Sequence, residues 1–136
     1  MNNFTEFWCF RLAALGRKIS RQYSAEFAPY GITPTQSFVL FDLLSHDGSS
    51  VKDIAARIQL ESPAVTGVID RLVKEELVKR QEDPSDRRSL QISLTSRGRD
   101  LAQQLLPIAQ EFNRSLQAGL IPEERQLFSR VLTRLE

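Results

Sequence analysis

The chain of 136 residues suits a single domain, and its 41% hydrophobic and 26% charged residues are typical of a folded globular protein. Its 18 Lys and Arg against 17 Asp and Glu give a net charge of +1, which excludes a strongly basic coat protein but not a local basic face. One cysteine, Cys9, and one histidine, His46, exclude an internal disulfide and a Cys/His zinc cluster. The first residues lack the basic start and apolar block of a signal peptide. We therefore expect a cytoplasmic protein that is not an enzyme, holds no metal or other cofactor and has no membrane partner.

An apolar stripe predicts a long first helix from Phe4 to about Ala28. The stripe recurs at steps of three and four residues and consists of Trp8, Leu12, Leu15, Ile19, Tyr23 and Phe27. Such a helix is about 35 Å long. A domain of this size covers so long a stripe poorly, so we expect a partner subunit to cover it.

Capping signals divide the next segment into three shorter helices. Thr33 and Gln36 form a capping box around Pro34, and this second helix is expected to end near Gly48. A third helix follows Ser50, and a short connection over 59–61 leads to a fourth. Ser62 is expected to cap that fourth helix, with Pro63 in its first turn. Two short helices joined by a tight turn predict a helix-turn-helix.

After the fourth helix the apolar period changes from about 3.6 to 2, which predicts two strands. The strands are expected at 77–81 and 89–94, with a charged hairpin tip over 82–88. Thr95 then caps a helix that Pro107 is expected to kink or split and that Gly119 ends, and Pro122 starts the last helix.

The predicted fold is mainly α with a small β-hairpin wing, in a single domain over residues 1–136. A winged helix-turn-helix over 31–95 is flanked by N- and C-terminal helices over 1–30 and 96–136.

The segment 86–95, which reads Asp-Arg-Arg-Ser-Leu-Gln-Ile-Ser-Leu-Thr, resembles the wing signature of the MarR family of bacterial transcription regulators. Gly98, the segment 65–80 and the helix start at 33–36 also resemble that family. The resemblance implies a homodimer in which 1–30 and 96–136 are interlocking dimerisation helices. Its two winged helices are expected to bind a roughly palindromic double-stranded DNA operator. The resemblance further implies regulation, often repression, under the control of a small molecule or an oxidant.

The DNA-contacting residues follow from the requirements of a major groove, which admits a helix only when its leading side chains are small or can hydrogen-bond. We expect the start of the fourth helix to meet base edges through Ser62, Pro63, Ala64, Thr66 and Gly67, and Arg71 and Lys74 to meet phosphates. In the wing, Arg87 and Arg88 are expected to contact DNA. Arg88 matches the family's wing arginine, which implies insertion into a minor groove. Asp86 is expected to pair with a wing arginine and to hold the loop's shape.

The sequence is compatible with more than one signal that controls the protein. The stretch from Cys9 to Tyr23 resembles the first helix of the organic-hydroperoxide sensors of the OhrR type, in which such a cysteine is oxidised and tyrosines bond to it. The alternative is that Cys9 is a small buried hydrophobe. A cleft for a small aromatic ligand could instead be lined by Trp8, Phe10, Tyr23, Tyr30, Phe38 and Phe41. A winged helix used for contact with another protein, without DNA binding, is a further alternative.

Overall fold

A computed structural model describes residues 3–136, apart from the side chain of Arg87. The described part contains six α-helices and one antiparallel hairpin, which confirms the predicted mainly α fold with a β-hairpin wing. The elements are α1 (Trp8–Phe27), α2 (Pro34–Ser45), α3 (Val51–Ile58), α4 (Ser62–Lys74), β1 (Val78–Asp83), β2 (Asp86–Leu94), α5 (Ser96–Gln117) and α6 (Pro122–Leu135). Short 3-10 turns lie at Phe4–Glu6 and Ala28–Tyr30.

The predicted caps of α2 and α3 are present. The Thr33 hydroxyl accepts a hydrogen bond from the Gln36 amide at 3.2 Å, and the Thr33 amide donates to the Gln36 side chain at 2.8 Å. The Ser50 hydroxyl accepts from the Asp53 amide at 3.1 Å. These bonds satisfy amide donors that have no partner within the helix, and so they fix where each helix begins.

Some predicted boundaries are wrong. The first helix begins at Trp8 instead of Phe4, because Phe7 adopts an extended conformation between the short turn and α1. Ser62 does not cap α4, since Glu61 holds the N-cap position and Ser62 is already helical. Neither does Pro107 split α5, which is one continuous helix through that residue.

The hairpin is longer than expected. Its strands reach Asp83 and Asp86, so the turn is confined to these residues and the two between them. Register pairs Val78 with Leu94 at the base and Arg80 with Ile92 further out. A third segment joins the base, because the Ile92 amide donates to the Ser49 carbonyl at 2.7 Å. This contact fixes the wing to the loop after α2.

The core lies within the winged helix and the first half of α5. Its fully buried members include Val39, Leu40, Leu43, Ile54, Val65, Ile69, Leu72, Ile92 and Leu105. From α1 only Phe27 is buried, and none of the residues of α6 is buried. No helix among residues 3–136 is long and apolar enough to cross a membrane.

The start of α5 packs against the chain between α4 and β1. The Thr95 amide donates to the Leu77 carbonyl at 3.1 Å, and the Thr95 hydroxyl donates to the Glu76 carbonyl at 2.7 Å. A Cβ added at Gly98 would lie 1.8 Å from the Leu77 carbonyl oxygen. Only glycine allows α5 to approach the backbone this closely.

We expect Gly98→Ala to lower the free energy of unfolding by at least about 1–3 kcal/mol, because the new methyl group must displace backbone. Urea denaturation at a fixed protein concentration measures this change. Gly67→Ala is the control, since no atom outside its own stretch of helix lies within 4 Å of the added Cβ. There, alanine should stabilise the helix by about 1 kcal/mol. Equal stability of Gly98→Ala and the wild type would contradict the proposed packing constraint.

Candidate nucleic-acid interface

The outer face of α4 carries small side chains near its beginning. Its inner face is apolar, and Val65, Ile69 and Leu72 are fully buried there. The predicted groove-facing residues are all exposed: Ser62, Pro63, Ala64, Thr66 and Gly67. These side chains project only a short distance from the helix, so this surface can enter a groove about 12 Å wide without steric obstruction.

The first turn of α4 leaves backbone donors open. Glu61 at the N-cap makes no side-chain hydrogen bond to the helix, so it satisfies none of these amides. Pro63 contributes no donor to this turn, because it has no amide hydrogen. The hydroxyl of Thr66 donates to the Ser62 carbonyl at 3.0 Å, which leaves its lone pairs free to accept. The helix dipole adds a positive potential at this end, which favours a negatively charged group such as a phosphate.

Two cations stand at the other end of α4. Arg71 and Lys74 are exposed in the last turn, and neither forms an ion pair with any residue that the structure describes. Their charges are therefore available to an external anion along the same helix.

The wing tip is organised by two aspartates. Asp83 accepts hydrogen bonds from the hydroxyl and the amide of Ser85 at 2.7 and 2.9 Å, and these bonds lower the pKa of Asp83. Asp86 accepts from the Arg88 amide at 3.0 Å and lies 3.5 Å from the Arg88 Nε. The side chain of Arg88 is 95% exposed and projects from the wing. The side chain of Arg87 lies outside the described part of the structure.

Two ion pairs that sequence reasoning missed hold the base of the wing and join α3 to α2. The Asp47 carboxylate accepts from the Leu94 amide at 2.8 Å and from Arg99 at 3.2 Å. Arg57 of α3 makes a bidentate contact to Asp42 of α2 at 2.7 and 2.9 Å, and these hydrogen bonds raise the pKa of Arg57. The only signal in the sequence was an acid, Asp42, within the apolar run of α2.

A further missed pair connects α4 to the wing. Asp70 on the exposed face of α4 forms an ion pair with Arg80 of β1. No spacing rule for one helix or one strand predicts a contact between two elements of different type.

The residues predicted to sense peroxide do not meet within one chain. Cys9 is exposed, so the alternative of a buried hydrophobe is wrong for the single chain. Tyr23 lies 14 residues later on the same helix, about 21 Å along its axis. Its hydroxyl lies 3.2 Å from that of Ser37, which itself donates to the Pro34 carbonyl, so Tyr23 is the donor. Burial raises the pKa of the Tyr23 hydroxyl.

The aromatic residues expected to line one cleft lie in separate places. Tyr23 stacks on Phe38 with ring centroids 5.5 Å apart, whereas Phe10 packs edge-on against Phe4. Trp8 lines a groove of about 360 Å³ between α1 and α6. A second open cavity, of about 430 Å³, lies between α1 and α5 and is lined by Glu26, Pro107, Ile108, Glu111, Phe112 and Ser115. Among residues 3–136 no cluster of His, Cys, Asp and Glu is suited to a metal ion.

Comparison with known proteins identifies the family. Residues 32–90 match the model of the MarR family. The transcriptional regulator SarZ of Staphylococcus epidermidis is 33% identical over 109 residues, covering 77% of this chain and 74% of SarZ. The transcriptional repressor MdtR of Bacillus subtilis is 38% identical over 87 residues, covering 64% of this chain and 56% of MdtR.

Solved structures agree with these sequence relatives. BpsR of Bordetella bronchiseptica, whose DNA binding is regulated by 6-hydroxynicotinic acid, matches with a TM-score of 0.93 at 27% identity. The match covers 99% of this chain and 96% of that structure. Proteins of this fold and sequence are DNA-binding regulators and not enzymes. The chain belongs to the MarR family of winged helix-turn-helix transcriptional regulators.

Proposed function

We propose that the chain is a homodimeric repressor that binds a palindromic DNA operator and leaves it when a small molecule binds. The observation that supports the dimer is the exposure of the apolar side chains of α6. Four of its apolar side chains are exposed by 39–58%, namely Leu127, Phe128, Leu132 and Leu135. Across the groove between α1 and α6, Leu12 and Leu15 of α1 are exposed as well. A second copy that interlocks its own terminal helices here would cover both faces.

The terminal segments 1–30 and 96–136 are proposed as the dimerisation part, and 31–95 as the DNA-binding part. A two-fold axis through the terminal helices places two copies of α4 on one side of the molecule. Two such helices fit successive major grooves when they are about 34–36 Å apart. The operator is therefore proposed to contain two inverted half-sites one helical turn apart.

Within each half-site we assign base contacts to the beginning of α4 and phosphate contacts to its end. The residues proposed to approach base edges are Ser62, Pro63, Ala64, Thr66 and Gly67, supported by their exposure and small size. Arg71 and Lys74 are proposed to bind phosphates. Arg87 and Arg88 of the wing are proposed to reach the neighbouring minor groove, with Asp86 shaping the turn that presents Arg88.

Repression and release by a ligand rest on two relatives. MdtR is a repressor, and DNA binding by BpsR is regulated by 6-hydroxynicotinic acid. The cavity between α1 and α5 is a site of suitable size for a small aromatic ligand, with Ile108 and Phe112 as apolar walls. Because it lies between α1 and α5, the two helices that flank the winged helix in the chain, a ligand there could change the spacing of the two copies of α4.

Selection of duplexes from a random DNA pool, followed by sedimentation of the complex, tests the proposal. We expect recovered sequences to contain inverted half-sites and two chains to bind each duplex. A monomer that binds no duplex at low ionic strength would contradict it and favour a protein-contact role for the winged helix.

We expect Arg88→Ala to weaken binding to the selected duplex by about 1–3 kcal/mol, since a cation inserted in a narrow groove would be lost. Fluorescence anisotropy across a range of salt concentrations measures the change. Arg114→Ala is the control, because Arg114 is an equally charged residue on α5 that pairs with Glu111. Equal affinities of Arg88→Ala and the wild type would remove the wing from the proposed interface.

Titration of the complex with small aromatic molecules and, separately, with an organic hydroperoxide identifies the class of signal. We expect an aromatic molecule to release DNA equally from the wild type and from Cys9→Ser. Ile108→Trp, which narrows the cavity, should reduce that response. Release by hydroperoxide from the wild type but not from Cys9→Ser would instead assign an organic-peroxide sensor acting through Cys9.

A further inference from the structure

The exposed face of α4 carries one acid among residues suited to DNA. Pro63, Gly67, Asp70 and Lys74 follow one another at steps of four, three and four residues, so they lie along one stripe of the helix. A carboxylate in this stripe would repel the phosphates of a duplex that the helix approaches. Its position therefore needs a physical reason.

The reason lies across the junction between α4 and β1. Arg80, the third residue of β1, forms an ion pair with Asp70 through its guanidinium. The side chains of Asp70 and Arg80 are 55% and 33% exposed, so the pair lies at the surface on the side of the molecule where α4 is open. The chain between them is fixed, because the Leu77 amide donates to the Leu72 carbonyl at 2.9 Å.

The other cations near this face are differently placed. Arg71 and Lys74 make no ion pair with any described residue, and Arg88 extends almost fully into solvent. The charge of Arg80 is instead cancelled at close range by Asp70. At physiological salt, where charges are screened over about 8 Å, such a pair contributes little attraction toward a polyanion.

We propose that Asp70 masks Arg80 and thereby sets the affinity of this regulator for DNA of any sequence. The inference rests on the proposed function, since it takes the open face of α4 as the DNA-facing one. With Asp70 in place, the guanidinium of Arg80 is held against α4 and is not a phosphate ligand. Without the carboxylate, its guanidinium becomes a further cation beside the phosphate backbone.

The test is the salt dependence of binding by Asp70→Asn. Asparagine keeps the shape of the side chain and removes its charge. With a mixed-sequence duplex as the probe, we expect tighter binding and a slope of log K against log salt that is steeper by about 0.9, the value for one added phosphate contact. This corresponds to an additional loss of affinity of about 3.5-fold between 50 and 200 mM salt.

Two variants make the outcome specific. Glu75→Gln adds the same charge at the end of the same helix, where Glu75 makes no ion pair with any described residue, and it should leave the slope close to that of the wild type. In Asp70→Asn/Arg80→Gln the slope should return to the wild-type value. An unchanged slope in Asp70→Asn, or equal steepening by Glu75→Gln, would overturn the masking role. If instead the wild type and every variant bind no duplex, the proposed function itself fails.

Discussion

The backbone at Glu76 and Leu77 is the point on which the arrangement of the winged helix depends. The carbonyls of both residues accept hydrogen bonds from Thr95, and Gly98 lets α5 approach the Leu77 carbonyl. At the same place the chain leaves α4 and enters β1. The helix α4, the wing and α5 therefore share one rigid junction. A displacement of α5 cannot leave the wing and α4 unchanged, because all three are bonded to the same two peptide units.

The surface proposed to face DNA has an uneven distribution of charge along α4. Small residues and open amides occupy the beginning of α4, while cations stand at its end and on the wing. Since phosphate contacts position a protein and base contacts specify a sequence, such a division would assign the two tasks to different parts of one helix in the proposed complex. The ion pair between Asp70 and Arg80 lies where these two parts meet.

Local signals in the sequence predicted the order and type of the helices and strands. The capping box at Thr33, the cap at Ser50 and the change of period after α4 all depend on residues close together in the chain. What could not be predicted depends on tertiary contacts. Asp42 meets Arg57, and Asp47 meets Arg99, across 15 and 52 residues of sequence. The wing strands are longer than the sequence predicts, because charged residues such as Glu82 and Asp83 take part in the hairpin. In such an exposed pair of strands, the strand propensity of single residues is a poor predictor of where pairing ends.

The same contrast between local patterns and tertiary contacts explains which parts of the candidate site the sequence predicts. Exposure of the small residues of α4 follows from the helical period, which also buries Val65, Ile69 and Leu72 on the other face. The separation of Cys9 from Tyr23 also follows from the helical rise, but their surroundings depend on which helices pack nearby. Tyr23 bonds to Ser37 of α2, a contact that no local pattern in α1 specifies.

Because α6 is not buried in the single chain, its stability in a cell depends on assembly. A 14-residue helix without packing is only marginally stable in water, because its own hydrogen bonds barely offset the entropy of ordering the chain. In the proposed dimer, assembly and ordering of this helix become a single event. Newly made subunits that have not met a partner would present a frayed, apolar C-terminal segment to proteases.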